Sequence, residues 1–403
     1  MTLWLVVLRS LRQHALSTIV TALSIALGGG LLMSVWAVKE QSQAIFTGVN
    51  AGFDAVLGAR GSKLQLVLNA IFHLEASPGN LAWADYQDIK NNPSVETAIP
   101  IAVGDNYLGY RLVGTLPELF EKVEYAPGKH YAVQPGGNFF DPGRREAVVG
   151  SFVAQKLGLK LGDTFHPYHG LIYNEKNQHS ETYVVVGVLK PSNTPADRVV
   201  WIPLEGIQKM TGHDPNAATD VSAVLVKLKA GSAATGFRLD LMYNKQGNRL
   251  TFAWPIGQVM AELFSKIGWF DRLLELVSYL VALVATASIL ASIYNSMNER
   301  RREIAILRAL GARRQTIFGA ILLEAATISA LGMVIAFVFY GAIMVGAASV
   351  IRAQTGVVLD PGKFNPVMLW APLALITLGA LAGIVPAIKA YRTDVAEFLV
   401  PTS

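Results

Sequence analysis

Residues 298–315 read NERRREIAILRALGARRQ and lie between two long hydrophobic runs. Six arginines and two glutamates fall in this stretch, and Ile304, Ile306, Leu307 and Leu310 form an apolar stripe at helical spacing. The pattern predicts a short interfacial helix. Because basic residues resist translocation, arginine-rich loops beside membrane spans mark the cytoplasmic side. This loop therefore sets the predicted orientation of the whole chain.

The composition favours a membrane protein. Hydrophobic residues make up 52% of the 403 residues and charged residues only 16%, which is too apolar for an ordinary soluble protein of this size. Residues 39–275 hold 22 basic and 23 acidic residues, whereas segments 1–14, 299–315 and 389–403 hold 10 basic and 4 acidic ones. The net charge of +5 is therefore a topology signal, and no nucleic-acid partner is expected.

Hydrophobic runs predict an α-helical membrane protein with four transmembrane helices (TM1 to TM4), one before and three after a large α+β extracytoplasmic domain. The uncharged first run is long enough to cross a hydrocarbon core of about 30 Å, and it is too long for a cleaved signal peptide. The predicted segments are a cytoplasmic amphipathic elbow at 1–14, TM1 at 15–38, the extracytoplasmic domain with a stalk at 39–275, TM2 at 276–298, the cytoplasmic loop at 299–315, TM3 at 316–351, an outer loop at 352–364, TM4 at 365–388 and a cytoplasmic tail at 389–403.

Two features inside the predicted spans stand out. Gly28, Gly29 and Gly30 predict a site of close packing or of a kink rather than a phosphate loop, because no Lys-Ser or Lys-Thr pair follows them. Glu324 lies roughly two turns inside the cytoplasmic boundary of TM3. An intramembrane carboxylate is a functional candidate, but at this depth we expect Glu324 to snorkel or to pair with a loop arginine.

The insertion is predicted to be an α+β domain of two subdomains, and its last helix is expected to continue into TM2 as a stalk. Strands are expected at 96–103, 110–114, 146–149, 182–189, 199–202 and 221–229, and helices at 81–90, 116–123, 152–157 and 204–210.

This organisation resembles a known family. The order of spans, with ERRREIAILRALGA between the second and third, resembles the permease subunit of the MacB/FtsX/LolC-E class (type VII) of ABC transporters. EAVVG at 146–150 and VVVGVL at 184–189 are similar to the MacB-type periplasmic domain. The resemblance covers nearly the whole chain. It implies a permease of the bacterial cytoplasmic (inner) membrane in contact with lipids, with a periplasmic adaptor or substrate-binding protein as a further partner. A second permease copy is expected as a homodimer, as in the MacB type, and pairing with a related permease, as in the LolC-E type, stays open.

The resemblance also implies a division of labour with an ABC ATPase subunit. The sequence contains no G-x-x-x-x-G-K-[ST] stretch, so ATP and Mg²⁺ are expected on the partner, with no cofactor and no catalysis on this chain. By similarity, 299–311 would be a coupling helix seated in a groove of the ATPase. Its expected contact residues are Glu299, Arg300, Arg301, Arg302, Glu303, Ile304, Leu307, Arg308, Leu310 and Gly311. The alternative is a topogenic loop whose arginines meet lipid phosphates.

The predicted function is mechanotransmission, in which ATP-driven closure on the cytoplasmic side moves the periplasmic domain for export or extrusion of a substrate. LolC-E-like lipoprotein extraction and FtsX-like activation of a periplasmic partner stay open. Zinc-linked transport also stays open, because residues 58–68 resemble a subgroup of these permeases that we associate with metal uptake.

Histidines give one further alternative. His166 and His169 form a His-x-x-His pair with His179 nearby, and three such side chains can ligate zinc in a membrane-tethered metallohydrolase. Neither a thiolate nor a clear carboxylate partner accompanies them, so we assign no metal site on the sequence. The sequence has no G-x-S-x-G or H-E-x-x-H motif, which disfavours an enzyme.

Overall fold

A computed structural model describes residues 3–215, 218–229, 233–299 and 301–392, without the side chains of 296–303, 390 and 392. The chain divides into two units. The membrane unit comprises Met1–Gln41, Ile267–Ala348 and Leu359–Ser403 as far as they are described, and the ectodomain unit comprises Ser42–Lys266 and Ser349–Val358.

Four stretches of helix are long and apolar enough to cross a membrane, namely Ala15–Gly48, Ile256–Asn295, Arg314–Thr355 and Val367–Lys389. The predicted four spans, one before and three after a mixed α/β domain, are confirmed. The helices of these regions are α1 (Leu3–Gln13), α2 (Ala15–Gly48), α9 (Ile256–Glu299), α10 (Arg301–Ala309), α11 (Arg314–Thr355), α12 (Val367–Ala382) and α13 (Ile384–Arg392).

Three of the spanning helices, α2, α9 and α11, extend well beyond a bilayer crossing. The helix α9 runs unbroken from Ile256 to Glu299, as the predicted stalk requires. The helix α11 has 42 residues, and residues 349–358, which include its last turns, belong to the ectodomain unit. Packing on that unit accounts for a length that no membrane crossing needs, because a span takes about 20 residues.

Glycines bring α2 against α11 inside the membrane unit. A Cβ atom on Gly30 would lie 2.7 Å from the Cβ of Phe339, and one on Gly29 would lie 2.7 Å from the Sδ of Met333. Real Cβ atoms do not approach this closely, so only glycine permits the observed helix separation. The predicted packing role of these glycines is confirmed.

The ectodomain unit is built on one ten-stranded mixed sheet. Its main path is β12-β1-β11-β2-β3-β10-β6-β9-β7, and β8 pairs with β2. The strands are β1 (Ala55–Ala59), β2 (Val95–Tyr107), β3 (Tyr110–Thr115), β4 (Glu124–Ala126), β5 (Lys129–His130), β6 (Glu146–Val149), β7 (Thr164–Phe165), β8 (Tyr168–His169), β9 (Tyr183–Val188), β10 (Val200–Pro203), β11 (Ala223–Leu228) and β12 (Leu250–Ala253), with β4 and β5 in a separate hairpin.

Helices of the ectodomain unit are α3 (Lys63–Ala70), α4 (Trp83–Lys90), α5 (Glu118–Lys122), α6 (Ser151–Leu157), α7 (Leu204–Gln208) and α8 (Ala233–Leu241). Successive strand residues point to opposite faces, so Leu57 belongs to one hydrophobic core and Val56 to the other. The predicted division into two subdomains is wrong, because one continuous sheet contains every strand of the unit named above except β4 and β5.

The predicted strands correspond to β2, β3, β6, β9, β10 and β11, and the predicted helices to α4, α5, α6 and α7. The strand β1 was not predicted, since its sequence AVLGA is short and contains glycine, which disfavours strands. Gly58 is needed there because a Cβ atom would lie 2.3 Å from the Cδ1 of Leu66 in α3. Tertiary packing therefore overrides the weak local preference.

Candidate functional site

The arginine-rich loop contains α10 and ends on a glycine. Gly311 has a φ of 95°, and its N–H donates to the carbonyl of Arg308, while the N–H of Ala312 donates to the carbonyl of Leu307. A left-handed glycine with these bonds is a common helix terminator. The sequence of the loop therefore forms a short helix with a defined end before α11 begins at Arg314.

The apolar stripe of α10 divides into two parts. Ile304 is only 7% exposed and packs in the hydrophobic core of the membrane unit, and its expected contact with an ATPase stays a prediction. Leu307 and Leu310 are 38% and 81% exposed. The helix therefore anchors itself through Ile304 and presents Leu307 and Leu310 at its surface.

Part of the predicted coupling surface lies outside the described residues. Arg300, and the side chains of Glu299, Arg301, Arg302 and Glu303, lie outside the described residues. Their pairing with acidic groups of an ATPase stays a prediction.

Glu324 is buried inside the membrane unit. Its side chain is 9% exposed, and its Oε1 accepts a hydrogen bond from the hydroxyl of Ser10 on α1. The carboxylate thus contacts α1, and its expected snorkelling or pairing with a loop arginine stays a prediction. This contact ties the amphipathic elbow to α11.

A second set of polar contacts joins α2, α9 and the segment before α12. The Nζ of Lys39 lies 2.5 Å from Oε1 of Glu275. The amide of Gln41 donates to the carbonyl of Asp360 at 3.1 Å, and the amide of Asn365 donates to Oε2 of Glu40 at 2.9 Å. These bonds hold the spanning helices together where α2 and α9 continue beyond them.

A group of three histidines and one aspartate lies in the ectodomain unit. The ligand atoms of Asp105, His169, His179 and His213 all lie within 4.8 Å of one another. Oδ1 of Asp105 is 3.3 Å from Nε2 of His179, 3.2 Å from Nε2 of His213 and 3.4 Å from Nδ1 of His169. Three imidazole nitrogens therefore converge on one carboxylate oxygen.

Strand pairing explains part of this convergence. Asp105 in β2 is the direct antiparallel partner of His169 in β8. His179 follows a loop that turns back on β8, where its N–H donates to the carbonyl of Pro167 at 2.9 Å. His213 comes from the loop after α7, where its N–H donates to the carbonyl of Met210 at 3.2 Å.

Hydrogen bonds from the surrounding loops orient two of the imidazoles. Nδ1 of His179 lies 2.9 Å from the carbonyl oxygen of Thr211, and Nδ1 of His213 lies 2.8 Å from that of Ile207. Oε1 of Glu181 in turn accepts from the N–H and the hydroxyl of Thr211 at 2.9 and 2.6 Å. The rings are thereby fixed by a buried polar network.

The charges of this group influence one another. Burial works to raise the pKa of the Asp105 carboxyl, but hydrogen bonds from His179 and His213 outweigh burial and hold that pKa below its ordinary value. The hydrogen bond to Asp105 raises the pKa of both His179 and His213, against the opposing effect of burial. The group favours positive charge beside the carboxylate.

Sequence reasoning identified two of the four members of this group, although it assigned no metal site. His166 is not a member, since its Nδ1 lies 3.0 Å from the carbonyl oxygen of Glu181. The missing carboxylate partner is Asp105, and the missing imidazole is His213, which is 108 residues away from it. No spacing motif could have shown them, because the sheet brings them together.

Family comparisons agree with this architecture. The profile of the MacB-like periplasmic core domain matches residues 18–240, and that of the FtsX-like permease C-terminal region matches residues 275–395. The chain belongs to the MacB-like family. The resemblance drawn from the loop motif and the EAVVG and VVVGVL stretches is thereby confirmed. The chain is accordingly an ABC transporter permease of the FtsX-like and MacB-like type, a multi-pass membrane protein with a periplasmic domain.

Individual relatives have low sequence identity to this chain. The macrolide export ATP-binding/permease protein MacB of Brucella melitensis biotype 1 is 26% identical over 415 residues, covering 96% of this chain and 58% of that protein. The pyoverdine export ATP-binding/permease protein PvdT of Pseudomonas syringae pv. tomato is 28% identical over 260 residues, covering 62% of this chain and 36% of that protein. The chain thus spans less than two thirds of the length of these MacB-like relatives.

A crystal structure of the extracellular domain of the noncanonic ABC-type transporter YknZ from Gram-positive bacteria is also similar. It covers 49% of this chain and 99% of that one, with 20% sequence identity and a TM-score of 0.31.

Proposed function

We propose that this MacB-like chain is a non-catalytic permease subunit that couples ATP hydrolysis on a separate ATPase subunit to movement of its periplasmic domain. The substrate would be exported or extruded by that movement. The main supporting observation is the loop between two spans, in which Leu307 on α10 and Leu310 directly after it are exposed and Gly311 ends the turn. Solvent-exposed leucines on an amphipathic helix are typical of a docking face.

Two further observations support a partner ATPase. The names of the relatives combine ATP-binding with permease, and residues 1–403 contain no G-x-x-x-x-G-K-[ST] stretch to cradle nucleotide phosphates. On this proposal, ATP and Mg²⁺ are held by the ATPase. We place α10 in the cytoplasm, because its arginines resist translocation.

The long helices suggest how the movement travels. The helix α9 passes without a break from the ectodomain unit into the membrane unit, and an intact helix transmits displacement along its axis. We infer a dimer of two permease copies in the inner membrane, in which closure of two ATPases moves the paired ectodomains. A periplasmic adaptor would receive the substrate.

The decisive experiment is co-expression with a candidate ABC ATPase from the same genome, followed by purification in lipid nanodiscs and measurement of ATP turnover. We expect Leu307→Asp to abolish co-purification and permease-modulated turnover, because a carboxylate would be buried unpaired in the contact. Leu161→Asp is the matched control, since Leu161 is 40% exposed but lies in the ectodomain unit. An unchanged complex and turnover in Leu307→Asp would refute coupling through α10.

A further inference from the structure

We propose that Asp105, His169, His179 and His213 form a binding site for a divalent first-row transition-metal ion of the Zn²⁺ type. No role for this site follows from the proposed permease function, and the inference does not depend on it.

Backbone carbonyls fix the tautomers of two imidazoles. A carbonyl oxygen only accepts hydrogen bonds, so Nδ1 of His179 and Nδ1 of His213 must each carry a proton to bond with Thr211 and Ile207. In the neutral rings, each Nε2 is then an unprotonated lone pair. Both lone pairs face Oδ1 of Asp105, at 3.3 and 3.2 Å.

Lone pairs that face a carboxylate oxygen repel it unless a positive charge lies between them. Two added protons would supply this charge, but they would place two imidazolium rings 5.4 Å apart between ring centroids. One divalent cation between them would bind both Nε2 lone pairs and Oδ1 of Asp105 at once. Metal-bound histidines also commonly donate their other ring N–H to a backbone carbonyl, as His179 and His213 do here.

The separations match a small coordination sphere. Zn²⁺ binds imidazole nitrogen and carboxylate oxygen at roughly 2.0–2.2 Å in a tetrahedron, whose ligand atoms are then about 3.3–3.6 Å apart. The three nitrogens lie 3.2–3.4 Å from Oδ1 of Asp105. Because all four ligand atoms fall within 4.8 Å of one another, small side-chain movements bring them onto one ion.

Asp105 gives an independent indication. Its side chain is completely buried, and its Oδ2 has no hydrogen-bond partner among the described residues. A buried carboxylate oxygen without a partner is costly. A cation bound to the carboxylate offsets this cost by neutralising its charge.

The donor set selects the kind of ion. Three imidazoles and one carboxylate suit Zn²⁺, Co²⁺, Ni²⁺ or Cu²⁺, whereas Ca²⁺ and Mg²⁺ prefer oxygen ligands. A cavity of about 370 Å³ leads to the group, lined by His169, His213 and the carboxylate-bearing Asp220. The side chain of His169 is 54% exposed, so an ion can enter and leave from this side.

A bound ion would connect separate parts of the ectodomain unit. Asp105 lies near the end of β2, His169 in β8, and His179 and His213 in two different loops. The ion would therefore stabilise this end of the sheet by binding to the folded state alone.

The test uses the full chain in lipid nanodiscs, stripped with EDTA and titrated with ZnCl₂ by calorimetry. We expect about one Zn²⁺ per chain, a rise in the melting temperature, and absorption bands of tetrahedral Co²⁺ when Co²⁺ is used instead. His169→Ala should weaken Zn²⁺ binding about tenfold or more and lose most of the thermal shift. Because His169 is exposed, this variant should fold even if His213→Ala and Asp105→Asn do not.

The matched control is His130→Ala. His130 is also about half exposed, at 49%, and its Nε2 lies 3.6 Å from Oε1 of Glu124, so it reproduces a surface histidine beside a carboxylate. Wild-type affinity in His130→Ala together with the loss in His169→Ala would establish the site. Equal Zn²⁺ binding by the wild type and His169→Ala, or no binding by either, would overturn the proposal.

Discussion

The hydroxyl of Ser10 donates a hydrogen bond to Oε1 of Glu324, which joins the amphipathic helix α1 to the spanning helix α11. Both side chains are buried. A carboxylate in such a place is retained only where its hydrogen-bonding capacity is met. The elbow is therefore a packed part of the membrane unit through this contact.

We expect Glu324→Ala to lower the melting temperature of the chain in nanodiscs more than Ser10→Ala does. Hydrogen bonds to charged groups contribute about 1.5–3 kcal/mol, and Glu324→Ala also leaves a cavity. Glu324→Gln keeps an acceptor of nearly the same shape and should fall between wild type and Glu324→Ala. Thermal unfolding of Glu324→Ala, of Ser10→Ala and of the double variant measures the coupling between the two residues. Strictly additive shifts would show that the two residues do not stabilise each other.

Helix packing at Gly30 leads to a second prediction. Gly30→Ala would place a Cβ atom 2.7 Å from the Cβ of Phe339, and overpacking of this kind costs about 1–3 kcal/mol. We therefore expect a lower melting temperature. Gly341→Ala in α11 is the control, because nothing lies within 4 Å of its added Cβ, and alanine favours a helix by about 1 kcal/mol over glycine. A fall in both variants would argue against a packing effect specific to Gly30.

Acid should destabilise the ectodomain unit partly through His73. Burial, reinforced by the charges of Arg111 and Arg198, lowers the pKa of His73 to about 3. Between about pH 6.5 and 3, the unfolded chain, with a histidine pKa of about 6.5, binds a proton at His73 that the folded chain does not bind. The stability that neutral His73 provides is therefore present above pH 6.5 and is lost as the pH falls from about 6.5 towards 3.

The melting temperature at pH 7 and at pH 5 tests this titration. His73 has a φ of 54°, which asparagine tolerates, so His73→Asn removes the titrating group without a backbone change. We expect a smaller loss at pH 5 in His73→Asn than in the wild type, and no such reduction in the control His130→Asn. The same pH dependence in all three proteins would contradict the pKa shift of His73.

The sequence was informative where structure depends on local pattern. Spans follow from uncharged runs, and strands such as β9 and β11 follow from β-branched residues between turns. The four-member group was only half visible, because 74 residues separate Asp105 from His179. The pairing of β2 with β8 and the loop that returns to β8 place them together. The burial of Ile304 beside exposed Leu307 was equally hidden, since an amphipathic stripe does not reveal which of its residues pack within the chain.

The stalk provides the last prediction, which tests mechanotransmission directly. Gly268 lies inside α9, and nothing lies within 4 Å of a Cβ atom added to it. Gly268→Pro would remove a helical hydrogen bond and kink α9, at a cost of about 3 kcal/mol, while α10 keeps its surface for the ATPase. The matched control Gly268→Ala occupies the same open space and strengthens the helix.

The chain contains no cysteine, so Phe237→Cys in exposed α8 provides one spin label per permease for distance measurements between two copies. We expect ATP to change the label distance in Gly268→Ala but not in Gly268→Pro, with both variants still bound to the ATPase. The reason is that only an unbroken helix carries displacement from the loop to the ectodomain. An ATP-dependent distance change that survives in Gly268→Pro would mean that α9 does not transmit the movement.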